Sequence, residues 1–127
     1  MIELARRVRE NAYAPYSGFR VGACLVMATG NVYTGCNVEN VAFGPTCCAE
    51  RNAVFQAVAC GEREFIAIYI VAGQQKPVWP CGMCLQVLSE FSRNMRVITA
   101  SLSGEVLENS IDNLLPYAFG DYRGIDR

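Results

Sequence analysis

The chain has no histidine among its 127 residues. Acid–base work near neutral pH therefore falls to a carboxylate or a thiol, and a metal site must be built from sulfur and oxygen ligands. No run of lysine or arginine stands out, and the formal net charge is -1. That balance argues against a long-range electrostatic grip on DNA or RNA, so a small neutral substrate is expected and no nucleic-acid polymer. Long apolar runs are missing too. The longest, Phe65 to Gly73, is too short to span a bilayer, so no membrane partner is expected. Met1 to Glu10 is amphipathic and charged and does not read as a secretion signal. No repeat, low-complexity stretch or linker interrupts the chain, so residues 1–127 are expected to form one domain around one core.

What the chain does have is apolar mass and cysteine. It is 52% hydrophobic and 18% charged, with a mean hydropathy of +0.17. Such a composition implies a large core for the size, or apolar surface buried against copies of itself. Cysteines stand at positions 24, 36, 47, 48, 60, 81 and 84. The odd count argues against a fully paired disulfide framework and for a reduced cytoplasm, where clustered cysteines bind metal or do chemistry.

Hydrophobic spacing predicts a first helix over residues 2–12. Strands are expected over Val21 to Met27 and Val32 to Cys36, turned at Thr29-Gly30-Asn31. A loop from Asn37 to Cys47 leads to a helix from about Cys48 to Ala59, closed by Gly61. Phe65 to Ala72 reads as a strand buried on both faces. Pro77 and Pro80 precede a helix from about Cys81 to Ser92, followed by a strand over Met95 to Ala100. A short strand near Val106 and a helical turn from Ile111 to Leu115 complete the chain. This order is that of an α/β layer sandwich.

Two clusters carry chemistry: Cys48-Ala49-Glu50 and Pro80-Cys81-Gly82-Met83-Cys84. Cys81 and Cys84 are three apart at a predicted helix start, so both sulfurs share a face. Cys48 starts the other long helix. Helix N-termini favour thiolate over thiol, and soft thiolates select zinc. Three thiolates leave one coordination position open, with Glu50 in the same first turn as its acid–base partner. In the competing reading, Cys47 supplies a fourth sulfur and closes a structural zinc knot. Arg51 is the cation expected to offset the thiolate charge; otherwise it is a solvated helix charge. Cys24, Cys36 and Cys60 are expected to pack in the core, and Phe55 and Phe91 in the core or at an interface.

Several further segments stand in a familiar order. They are Tyr13-Ala14-Pro15-Tyr16-Ser17, Val21-Gly22-Ala23, Thr34-Gly35-Cys36-Asn37-Val38-Glu39-Asn40, Cys48-Ala49-Glu50-Arg51 and Leu114-Leu115-Pro116-Tyr117-Ala118-Phe119. With these the chain resembles the small, homotetrameric cytidine deaminase family over nearly its whole length. The resemblance implies a three-layer α/β/α sandwich with a mixed five-stranded sheet and one zinc ion per chain. It implies zinc on Cys48, Cys81 and Cys84, proton transfer by Glu50, and hydrogen bonds from Arg51 to the ligand thiolates. It implies that Phe19 packs on the pyrimidine, that Asn37 and Glu39 bind the ribose, and that the Ala49 backbone contacts the base. It further implies that Phe119 reaches into a neighbouring subunit's pocket, making each site of a homotetramer composite.

Four positions depart from the family's usual residues: Phe43, Trp79, Met83 and Leu85. Met83 and Trp79 are expected to reshape the cavity near the substrate, and Leu85 to remove a positive charge from beside the thiolates. The leading expectation is hydrolytic deamination of cytidine or deoxycytidine in pyrimidine salvage. The rivals are a deaminase of another aminated heterocycle, such as a modified nucleoside or nucleoside antibiotic, and a zinc-stabilised binding protein without activity.

Overall fold

The computed structural model describes residues 1–120. Its elements are α1 (Ile2–Arg9), β1 (Gly22–Met27), β2 (Val32–Cys36), α2 (Ala49–Ala59), β3 (Phe65–Val71), α3 (Gly82–Phe91), β4 (Arg96–Ala100), β5 (Val106–Ser110) and α4 (Ile111–Leu114). The strands form one five-stranded sheet in the order β2-β1-β3-β4-β5. β3 and β4 run parallel, joined through α3; every other neighbouring pair is antiparallel, so the sheet is mixed.

Alternation along the strands separates two apolar clusters and defines three layers. Ala23, Leu25, Met27, Ile68, Ile70 and Val97 pack with Ala53, Val54 and Ala57 of α2 and Leu85 and Leu88 of α3. Their strand neighbours Cys24, Val71 and Ala100 point to the other face, where they meet Ala5 of α1. Phe65 and Phe91 stack at 4.4 Å and tie the start of β3 to the end of α3. The expected three-layer α/β/α sandwich is what the chain forms. Among the described residues no helix is long and apolar enough to cross a membrane.

Two glycines let the helices approach the sheet. A Cβ on Gly22 would collide with the backbone of Ala5 and Arg9 in α1. A Cβ on Gly35 would collide with the backbone of Ala49 and Ala53 in α2. The second contact seats the first turn of α2 on β2 and buries Ala49 and Glu50.

Element ends shift by a residue or more from expectation at several places, and one cysteine differs in burial. α1 ends at Arg9 because the amides of Glu10, Asn11 and Ala12 turn to carbonyls three residues back, the tighter turn of a helix end. β1 starts at Gly22 because the Val21 N–H donates to Asn37 Oδ1 instead of entering the ladder. Cys60, expected in the core, lies exposed at the end of α2.

Candidate metal centre and cavity

Cys48 and Cys81 occupy equivalent positions, each the N-cap of its helix with an extended backbone (φ -71°, ψ 157° and φ -66°, ψ 163°). Their carbonyls accept the first helical bonds, from Asn52 and Leu85. Neither sulfur caps its helix. Both are left to face the space where the two N-termini converge. Cys84 joins them from the first turn of α3 and is fully buried. The three sulfurs lie within 4.8 Å of one another.

This donor set fits zinc. Tetrahedral Zn–S bonds of about 2.3 Å place sulfurs about 3.8 Å apart, and Cys48 Sγ and Cys81 Sγ are 3.9 Å apart. The cluster already favours negative sulfur. A hydrogen bond from Cys84, followed by the Arg51 guanidinium, brings the Cys48 thiol down to about 5 against the opposing effect of burial. The same bond, with burial, holds Cys84 protonated well above the usual thiol range. Arg51 donates from Nη2 to Cys48 Sγ at 3.3 Å. Its Nε is buried without a hydrogen-bond partner among the described residues. The negative sulfur offsets that loss electrostatically and pushes the guanidinium pKa up. Leu85 follows Cys84 in the first turn of α3 and carries no charge. It is 7% exposed and packs into the core with α2 and the sheet.

Glu50 is 5% exposed. Burial first, then the negative charge of Cys48, raises its carboxyl to about 7. A group poised there can both take and give a proton at neutral pH. Cys47 stays outside the sulfur cluster. Its backbone pairs in both directions with Val38, and burial raises its thiol pKa. The four-sulfur knot is therefore not assembled among the described residues.

Cys48, Cys81 and Glu50 open onto a cavity of about 300 Å³. Its walls include Phe19, Val21, Ile70, Ala72, Val78 and Trp79, with Ser17, Asn37, Glu39, Thr46 and Cys47 as polar lining. Asn37 is already bonded at both ends of its amide, accepting from the Val21 N–H and donating to the Phe19 carbonyl, each at 2.8 Å. Glu39 accepts from the Ser17 hydroxyl and from the amides of Ser17 and Tyr16. The Ser17 hydroxyl, then its amide, holds the Glu39 carboxyl below its ordinary value. Ala49 is buried against β2, outside the cavity lining.

Of the unusual residues, Trp79 lines the cavity and Met83 does not. Met83 is 62% exposed on α3, outside the lining of this chain's own cavity, where the expectation had it reshape that cavity. Phe43 lies beside the cavity, in a shallower hollow shared with Tyr16, whose ring it meets edge-on at 5.9 Å. Its backbone φ of 57° places a bulky residue in the left-handed region. Phe119 lies away from its own chain's cavity, after α4. Sequence reasoning missed the wall formed by Ile70, Ala72 and Val78. These residues read as ordinary apolar strand and loop, and only the folded chain brings them into one cavity with Val21 and Phe19.

Residues 1–101 match the family model described as the cytidine and deoxycytidylate deaminase zinc-binding region. The chain belongs to the cytidine deaminase family. It is 47% identical over 120 residues to a cytidine deaminase of Sporosarcina psychrophila, covering 94% of this chain and 88% of the relative. It is 45% identical to a cytidine deaminase of Halalkalibacterium halodurans, covering 94% and 91%. The crystal structure of the Burkholderia pseudomallei cytidine deaminase superposes with a TM-score of 0.90 at 48% identity, covering 93% of this chain and 95% of that one. That of the Mycobacterium tuberculosis cytidine deaminase superposes at 0.81, with 37% identity and 94% of each chain covered. Membership of this family of zinc-dependent hydrolytic deaminases, together with the converging thiols, assigns one zinc ion per chain.

Proposed function

We propose that the protein deaminates cytidine and deoxycytidine hydrolytically, giving the uracil nucleoside and ammonia. The observation that carries this reading is the buried Glu50 carboxyl, held near neutrality beside three converging thiols at the head of an apolar cavity. Cys48, Cys81 and Cys84 would hold zinc, which supplies Lewis acidity and lowers the pKa of a coordinated water to about 7. Glu50 takes a proton from the attacking water and delivers it to the ring nitrogen beside the amino-bearing carbon. It then takes the remaining proton from the hydroxyl now on that carbon and delivers it to the amine, so that the carbonyl forms as the C–N bond breaks and ammonia leaves, the carboxylate serving in turn as base and acid. Arg51 steadies the negative sulfurs throughout. Phe19 and the aliphatic wall cover the pyrimidine and keep bulk water from the reacting carbon. Asn37 and Glu39 face the sugar with the donor and lone pairs that their loop contacts leave over.

Phe119 of a neighbouring subunit completes the pocket in this reading, within a homotetramer. Apolar side chains left at the surface support it, Phe55 of α2 at 53% exposure and Phe119 beyond α4 at 78%. The free thiols of the described residues suit a reducing cytoplasm.

A panel of free nucleosides assayed for ammonia release tests the substrate. Cytidine and deoxycytidine are expected to be the best substrates; inactivity on both overturns the reading. Trp79 in the cavity wall favours one alternative, a different aminated heterocycle. Replacing Trp79 with serine then decides. If relative kcat/KM across cytidine, deoxycytidine and ring-substituted analogues moves by less than about threefold, under 1 kcal/mol of discrimination, Trp79 does not set specificity.

A further inference from the structure

Gln86 lies on α3, two residues beyond Cys84. Its side-chain amide grips the backbone of Phe119 on both sides. Nε2 donates to the Phe119 carbonyl at 2.9 Å, and Oε1 accepts from the Phe119 N–H at 3.2 Å. One amide thus reproduces the double exchange that a paired strand makes with its partner residue. Holding both polar groups of one residue fixes its peptide planes, and with them the direction of the Cα–Cβ bond. The ring carried on that bond is 78% exposed and lies outside its own chain's cavity. The clamp therefore fixes the direction in which a large aromatic side chain, outside the lining of its own chain's cavity, leaves the backbone. It also anchors the segment beyond α4 to the helix that carries Cys84 and is capped by Cys81.

We propose that Gln86 is a positioning residue for the neighbouring subunit's active site, acting through Phe119 and not on its own metal centre. The inference rests on the composite-site reading above. A ring that packs on bound substrate contributes alike to ground and transition states, so loosening its arm raises KM more than it lowers kcat. Two ordinary hydrogen bonds are lost in Gln86→Ala, and kcat/KM is expected to fall about tenfold, with zinc content unchanged. Gln86→Glu keeps the acceptor for the Phe119 N–H and sets a carboxylate against its carbonyl, so it should show the same defect.

Subunit mixing separates an arm defect from a pocket defect. Coexpressed Glu50→Gln and Phe119→Ala chains should regain activity, since random assembly pairs a sound pocket with a sound arm in about one site in four. Failure of this control overturns the composite site itself, and the clamp falls with it. Given the control, coexpressing Gln86→Ala with Glu50→Gln should restore a component with wild-type KM. Coexpressing Gln86→Ala with Phe119→Ala should restore none, because every arm is then defective. A purely local role of Gln86 at its own metal centre gives the reverse pattern. That reversal, or rescue or failure in both mixtures, overturns the proposal while leaving the composite site standing.

Discussion

Glu50 and Cys48 differ by two positions and are driven in opposite directions by the same pocket. Burial raises the Glu50 carboxyl to about 7, while hydrogen bonds from Cys84 and Arg51 bring the Cys48 thiol down to about 5. The contrast suits two roles: the Cys48 thiol is favoured as the anion a metal takes, and the carboxyl can accept a proton and give it back near neutral pH. Glu50→Gln is therefore expected to fold and retain zinc while losing roughly 10²–10⁴-fold or more in kcat, since one group serves several proton transfers. Activity within tenfold of wild type would remove Glu50 from the mechanism. The sulfurs make a parallel prediction by metal analysis. Cys48→Ala should lose zinc, whereas Cys47→Ala should keep it, because Cys47 stands outside the cluster. Equal loss from both would make the open three-thiolate site wrong.

At the scale of elements, the centre depends on how closely α2 lies on β2. Gly35 permits that approach, and the Gly35→Ala methyl would meet the backbone of Ala49 and Ala53. Backbone cannot swing aside as a side chain can, so α2 must lift. The expected result is about 1–3 kcal/mol of lost stability in denaturant melts, together with weakened zinc retention as Cys48 moves from Cys81 and Cys84. Unchanged stability and zinc affinity would mean that α2 is not seated there. This dependence also shows where sequence reading stopped. The two helix starts bearing Cys48 and Cys81 were legible because N-caps and i, i+3 spacing are local signals. The hairpin was legible from Thr29-Gly30-Asn31, and the buried strand from its isoleucines. The direction taken by Met83 and Leu85 was not. Their positions relative to the ligands say which face of α3 they occupy only once the packing of α3 on the sheet is known. The Gln86 clamp was equally hidden, because 33 residues separate its partners and no periodicity links them.

Across the whole molecule, exposed apolar side chains lie on α1 and β5, at Leu4, Val106 and Leu107, and also on the loops and helices around the site. Val41 and Phe43 stand exposed on the loop before α2, Phe55 on α2, Met83 on α3, and Tyr117 and Phe119 beyond α4. Scattered apolar side chains at a surface need no explanation, but a concentration beside a cavity suits a partner surface. A second copy is the partner that would also bring a Phe119 ring to the pocket. Light scattering at micromolar concentration is expected to find a homotetramer, with specific activity independent of dilution. Phe55→Glu would carry an unpaired charge into that contact. Its assembly should loosen by at least about 1.4 kcal/mol, tenfold in dissociation constant. Its activity should then fall on dilution in step with the loss of assembled species, and return on concentration. Each chain keeps its own zinc ligands and Glu50, so metal content should stay constant across the same series. A variant that is monomeric yet fully active would separate assembly from catalysis and leave Phe119 without a role in the pocket.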